Sequence, residues 1–289
     1  MEKVSTPVRD IRDLKDDKDA YAAELERRWT GLLSYRYIGR RFGSMDASAE
    51  DDDVVDVRHD FRNSIGGLMV APIALSSPEG GGVSDREGVP NPVIYNASVL
   101  DPGYDVKRIE IRSETLKVGR QMGFTRSRIV DADNPDRVIA FTEGQGVTIG
   151  DVPAGLAKMP ENPIAIVDSP DLPPLWKVFG ASRRPDGHWM LPELSAAFAS
   201  PDAALHLGPQ HVVLEAAATG LACDLVGTQR LQIRTWHVMF LSRGKTGPFR
   251  VDGEAVRGAG GQVGVRMVMV DEGAGRAVTS GSAVFTIAE

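Results

Sequence analysis

Residues 206–224 read HLGPQHVVLEAAATGLACD. Ala, Leu, Val and Gly make up most of this stretch, and one carboxylate, Glu215, sits between Val212-Val213-Leu214 and three alanines. Pro209 suits the first turn of a helix, where its missing N–H would have no partner anyway. Residues 209–223 therefore predict a helix that is apolar on nearly every side, and so buried. A charge in such a place is costly unless it is paired or used. What Glu215 does there is the question the rest of the sequence has to answer.

The 289 residues suffice for one large domain or two small ones. Apolar residues make 42% and charged residues 25%, the balance of an ordinary globular chain. The net charge of −7 has its acids and bases mixed along the sequence, so no basic surface for nucleic acid is expected. Cys223 is the single cysteine and cannot close an intrachain disulfide, which fits a reducing compartment such as the cytoplasm. The opening MEKVSTPVRDIRDLKDDKD has no apolar core, so no signal peptide is expected, and no run of 18 apolar residues predicts a membrane span.

Upstream, Tyr21, Leu25, Trp29, Leu32 and Leu33 recur at helical spacing and predict an amphipathic helix over 17–34. DASAEDDD (46–53) reads as a linker. VVDVRHDF (54–61) alternates, predicting a strand with Val55, Val57, His59 and Phe61 on one face. NSIGGLMVAPIALSSPE should turn into a short helix, and the Gly- and Pro-rich 78–92 reads as loop. Segments 106–120, 122–133 and 136–150 predict a meander of strands. A proline-rich connection over 151–205 precedes the buried helix, and strands follow at 231–241, 249–258, 262–273 and 276–289. Each half thus runs from a helix into three or four antiparallel strands. VDADNPDRVIAFTEGQGVTIG even parallels VDEGAGRAVTSGSAVFTIAE, with a period of about 140 residues, which reads as a duplicated domain rather than a solenoid.

A buried Ala-rich helix followed by an antiparallel meander resembles the hotdog fold. The strands from LQIRTWHVMFL onward look like those of hotdog acyl-CoA thioesterases, in the branch that includes the phenylacetate-pathway enzymes. The resemblance covers about 54–150 and 188–289. It implies an α+β tandem (double) hotdog fold, with two antiparallel sheets each wrapping a central helix and joined side by side into one extended antiparallel sheet. The implied organisation is an N-terminal helix and linker (1–53), a first hotdog domain (54–150), a linker (151–187) and a second hotdog domain (188–289).

That family carries a His-Gly-Gly turn, with a carboxylate nine residues after the His on the central helix. In the family the first glycine's N–H polarises the thioester carbonyl, and the partner subunit's carboxylate attacks it or activates water. Here His206 and Glu215 have that spacing, with Leu207 and Gly208 in place of the glycines. In the first half Gly66 and Gly67 are present, but Ile65 stands for the His and Ala74 for the carboxylate. A pseudo-dimer would then keep one complete crossed site, Gly66–Gly67 from the first half and Glu215 from the second; the alternatives are that Glu215 pairs with a buried Arg or caps a backbone group, and that the glycines make only a tight turn. Such chemistry suits the residue types, because backbone N–H groups can hold an oxyanion and a poorly solvated carboxylate is a stronger base or nucleophile.

Further candidates follow from the same resemblance. Asn63 could orient the water or simply make a turn. His59, Thr235 and His237 could face the substrate, and Arg243 and Lys245, in SRGKTG, could meet coenzyme A phosphates. His206 and His211 read as structural. No cofactor and no metal is expected, since no His/Cys/Asp cluster has ligand spacing. The expected partner is an acyl-CoA substrate, without nucleic acid or membrane, in a homo-oligomer of pseudo-dimers. Two other functions stay open. One is a non-catalytic acyl-CoA-binding protein. The other is a hotdog enoyl-CoA hydratase or dehydratase, for which Asp202 and His206 are one residue too close.

Overall fold

The computed structural model describes residues 8–38, 54–77, 88–156 and 164–288. Helix α1 (Lys18–Gly31) starts on Asp17, whose side chain accepts from the Ala20 N–H. It stops at Leu32, which is extended, and α2 (Leu33–Ile38) follows. The single helix expected over 17–34 is therefore broken, because the Leu33 N–H leaves the helix ladder for the Ala197 carbonyl. Tyr21 and Leu32 of the predicted stripe are buried, and Leu25 and Trp29 are half-buried. The linker 46–53 lies outside the described residues.

Strand β1 spans only Val54–Asp56, and His59–Phe61 forms one turn of 3-10 helix. The strand expected over 54–61 ends early because Arg58 and Asp60 form a buried ion pair (2.9 Å). Burying that pair beside Val57 and Phe61 breaks the pleat and turns His59 out to solvent. Helix α3 (Val70–Ser76) follows the glycine turn as expected. Of the segment read as loop, 78–87 lies outside the described residues, but β2 (Val89–Val99) is a strand despite Pro90 and Pro92. The prolines are tolerated because β8 pairs only with Ile94–Ser98, so the proline end of β2 has one open side.

The meander is β3 (Arg108–Val118), β4 (Met122–Asp131) and β5 (Asn134–Ile149). Short α4 (Leu175–Val178), β6 (Ser182–Arg183) and β7 (Trp189–Leu191) occupy the long connection. Then come α5 (Leu207–Val226), β8 (Leu231–Phe240), β9 (Phe249–Arg257), β10 (Gln262–Asp271) and β11 (Arg276–Ile287).

Among the described residues all eleven strands form one sheet, in the order β1-β3-β4-β5-β2-β8-β11-β10-β9-β7-β6. Two antiparallel sheets, one per half and joined side by side into one extended sheet, were expected, and the join is where β2 and β8 pair antiparallel, from Ile94↔Met239 to Ser98↔Thr235. Outward from that seam the order repeats: β2-β5-β4-β3-β1 on one side, β8-β11-β10-β9-β7 on the other. The long helix α5 lies on the second-half strands, and α3 packs against α5. The cores interpenetrate: Tyr95, Ala97 and Val70 join the second-half cluster, and Val212 joins the first. Among the described residues no helix is long and apolar enough to cross a membrane.

Candidate functional site

Helix α5 begins on His206 and ends on Gly227, whose left-handed backbone (φ 75) returns its N–H to the Cys223 carbonyl. Glu215, two turns in, is only 3% exposed. Its carboxylate reaches across to the first half and accepts from the Val70 N–H (2.9 Å) and the Ala71 N–H (2.7 Å). These two amides open α3, whose own N-cap, Met69, offers no side-chain bond. The accounting at this helix start is complete. Met69 N–H goes to the Phe61 carbonyl, Val70 and Ala71 go to Glu215, and Pro72 has no N–H. Burial pushes the Glu215 carboxyl up to about 7, and the two amides, which favour its charged form, offset this only in part. A carboxylate poised near neutrality against two backbone donors can exchange a proton with a water or hold one.

The turn before α3 is organised by Asn63. Its Oδ1 accepts from Ile65 N–H (3.1 Å) and Gly67 N–H (2.9 Å), and its carbonyl accepts from Gly66 N–H (3.0 Å). Both glycine amides are thus spent inside the turn. Gly66 has φ +83, which glycine alone adopts freely. At Gly67 a Cβ would collide with Gln232 Oε1. Gln232 is buried on β8 and ties this turn to the second half, accepting from Asn63 Nδ2 (2.8 Å) and donating to the Leu68 carbonyl (3.4 Å).

The second half repeats the main-chain hydrogen bonds of this turn. Ser200 N–H donates to the Ala204 carbonyl as Asn63 N–H does to Gly67, and His206 N–H donates to Phe198 as Met69 N–H does to Phe61. Ala203 has φ 52 where Gly66 has 83. FRNSIGGLMVAP thus matches FASPDAALHLGP, and Pro72 matches Pro209. The counterpart of His206 is therefore Met69, not Ile65, and Ala74 faces His211, not Glu215. The position matching Glu215 falls at Pro78, outside the described residues. The expected correspondence is four residues out, yet Glu215 does meet the helix start of the other half.

His206 caps α5. Its Nδ1 accepts from Gly208 N–H (3.2 Å) and lies 3.0 Å from Ser34 Oγ. Burial pulls it down to about 3, so it is neutral. His211 accepts the Trp236 Nε1 proton (3.1 Å) and stands edge-on to Tyr95. Asp202 and His206 do not meet: Asp202 is held by Arg243 (2.6 and 2.7 Å) and Ser200. Lys245 donates to Asp10 (2.9 Å) and to the Asp202 carbonyl (2.8 Å). Arg243 and Lys245 therefore brace the 200–206 turn from within.

His59 is exposed and bound to Asp168. Thr235 and His237 lie on the face of β8 opposite Trp236, the face away from α5, with His237 against Asn96 of β2. Neither faces Glu215. Sequence reasoning missed Gln232 and the Val70–Ala71 amides. The available signal was the shared first-turn proline of the two helices. Among the described residues no cluster of three or more His, Cys, Asp or Glu could hold a metal.

No family model matches the sequence, and no curated protein matches it. The fold, in contrast, has solved counterparts. A tesB protein of Mycobacterium avium subsp. paratuberculosis superposes with a TM-score of 0.56 at 13% identity, over 82% of this chain and 92% of that one. An acyl-CoA thioesterase II, TesB2, of Mycobacterium marinum gives 0.53 at 14%, with the same coverage. A protein of unknown function with hot dog fold from Alicyclobacillus acidocaldarius gives 0.51 at 12%, again over 82% and 92%. At such identities the likeness speaks for architecture, and on that ground, with its repeated strand order, the chain has a double hotdog fold like that of these proteins.

Proposed function

We propose that the chain is an acyl-CoA thioesterase with one composite site, where Glu215 of the second half meets the start of α3 in the first. The observation that carries this is the buried Glu215 carboxylate, shared between two backbone donors from the other half with no cation beside it among the described residues. A purely structural buried acid is ordinarily neutralised by a partner charge.

In this reading Glu215 takes a proton from water, and the hydroxide adds to the thioester carbonyl carbon. The oxyanion is received by the amides that otherwise hold the carboxylate, Val70 and Ala71. The C–S bond then breaks and the thiolate leaves with the proton from Glu215. Direct attack by the carboxylate would use the same groups. Asn63 and Gln232 hold the turn in place, and Gly67 permits that closeness.

A non-catalytic acyl-CoA-binding protein is the second reading. It is favoured by the glycine amides being spent within their own turn and by Glu215 already serving as a helix cap. A thiol-release assay over a panel of acyl-CoAs separates the two. Release by the wild type that is lost in Glu215→Gln supports hydrolysis. No release, with acyl-CoA still raising the Tm, supports binding alone. We assign the two hotdog units to 54–150 and 188–289, joined by 151–187 and preceded by 1–53, and expect further association of these pseudo-dimers in the cytoplasm.

A further inference from the structure

The two halves differ on the sheet face that carries the helices. Each half has one extra residue in its seam strand, Val93 in β2 and Arg234 in β8, and counting from it aligns the two sheets. In the second half α5 covers β9 and β10, and what lies beneath it is apolar: Val265 and Met267 are buried, and Leu221 closes on Gly253. The first half has hydroxyls there. Thr125 and Ser127 stand where Val265 and Met267 do, and Thr142 stands where Gly281 does. Ser76 and Ser77, ending α3, stand where α5 has Val213 and Leu214. All five hydroxyl residues are buried.

Two of these groups, Ser76 Oγ and Thr142 Oγ1, have no hydrogen-bond partner among the described residues. Val70, Ala74 and Ser77 form the side of α3 that meets β2. The first two cluster with Tyr95 and Ala97, and Ser77 Oγ lies 2.8 Å from the Tyr95 hydroxyl. Ser76 is one turn beyond Ile73, which clusters with Ile129 and Ala140 on the first-half side. Thr142 is two residues along from Ala140 and pairs with Ala97 of β2. Ser76 and Thr142 therefore face one region from helix and sheet. An unpaired buried hydroxyl costs about 1–3 kcal/mol, so packing alone gives no reason to keep two of them. The reacting groups are near: at about 1.5 Å per helical residue, Ser76 lies about 8 Å beyond the Ala71 amide that holds Glu215, the reach of an acyl chain of about six carbons.

We propose that the acyl group handled beside Glu215 carries a hydroxyl at its far end, received by Ser76 and Thr142. Two neutral hydroxyls in a buried setting suit a neutral group better than a carboxylate, which would need a paired charge. The proposal rests on the thioesterase reading of Glu215 for its substrate, but discrimination between acyl groups can be tested apart from turnover.

The experiment measures kcat/KM for hexanoyl-CoA and ω-hydroxyhexanoyl-CoA in wild type, Ser76→Ala and Thr142→Val. The wild type should prefer the hydroxylated ester about tenfold or more, because hexanoyl leaves both protein hydroxyls unpaired. Thr142→Val should bring the two esters to within about twofold of each other, and Ser76→Ala should narrow the gap. Equal kcat/KM for both esters in the wild type, or a preference that survives both substitutions, overturns the assignment. Hydroxyls that serve the fold alone would show in the variants as a changed Tm with no change in the ratio, which overturns it too. If neither ester releases thiol, melting decides. A larger rise in Tm with ω-hydroxyhexanoyl-CoA than with hexanoyl-CoA, lost in Thr142→Val, upholds the polar recognition while the hydrolytic reading fails. Equal shifts, or none, overturn the proposal.

Discussion

Glu215→Gln keeps the size of the side chain and removes its charge, and its consequences can be worked out for stability and rate separately. The carboxyl stands near 7 in the fold against 4.5 when unperturbed. A raised acid pKa means the folded state binds the proton more tightly than the unfolded one. Its stabilising contribution is thus full below 4.5 and lost as pH rises through 7. Between pH 5 and pH 8 that amounts to about 2.5 kcal/mol, or roughly 5–10 °C in Tm for a chain of this size. The amide does not titrate, so the mutant should lack this slope.

The absolute difference at one pH is harder to sign. Removing the buried charge helps, but an amide oxygen serves one of the two N–H groups, and orphaning the other costs about 1–3 kcal/mol. The pH dependence of the difference is free of that offset. Melting curves of both proteins at pH 5 and pH 8 should shift toward the mutant by the stated amount. In the thiol-release assay kcat should rise through pH 7 in the wild type and fall about 10²–10⁴-fold in the mutant. A pH-independent stability difference would refute the buried, near-neutral carboxyl. Retained turnover would refute its role as base.

Burial that lowers His206 works in the opposite sense. Stability should fall as pH drops below 6.5 toward 3, and His206→Asn, which can still cap α5, should flatten that acid limb in chemical denaturation. Asp202→Ala strands Arg243 and should cost about 3–5 kcal/mol by urea unfolding, far more than removal of an exposed ion pair such as Arg108–Asp133. Gly67→Ala drives a Cβ onto Gln232 and should lower stability by about 1–3 kcal/mol in the same measurement. An unchanged unfolding midpoint would mean the turn is looser than its hydrogen bonds imply.

The helix at 207–226 could be read from its sequence because burial leaves an unmistakable composition, and the hairpins of both halves because one open face enforces alternation. Strand β2 could not, since Pro90 and Pro92 mark a loop unless one knows that their side of the strand is unpaired. His59 misled because a local ion pair, Arg58–Asp60, outweighed the alternation. Glu215 stood out as anomalous, but its partners are main-chain amides of the other half, and backbone donors leave no mark in a string of side chains. The misplaced correspondence between halves came from matching glycines by identity. Ala203 shows the error: it holds the conformation that Gly66 holds, without being glycine.

The β2–β8 seam joins two halves that share one chain, so their meeting does not depend on concentration. Dilution cannot separate them, and the seam adds no concentration dependence to melting. Two identical subunits would also feel every substitution twice, once in each copy. Here a change on one side leaves the other untouched, so a histidine can cap one helix while a carboxylate from across the seam caps the other. The tether thereby frees the molecule from symmetry: either half can change without its twin following.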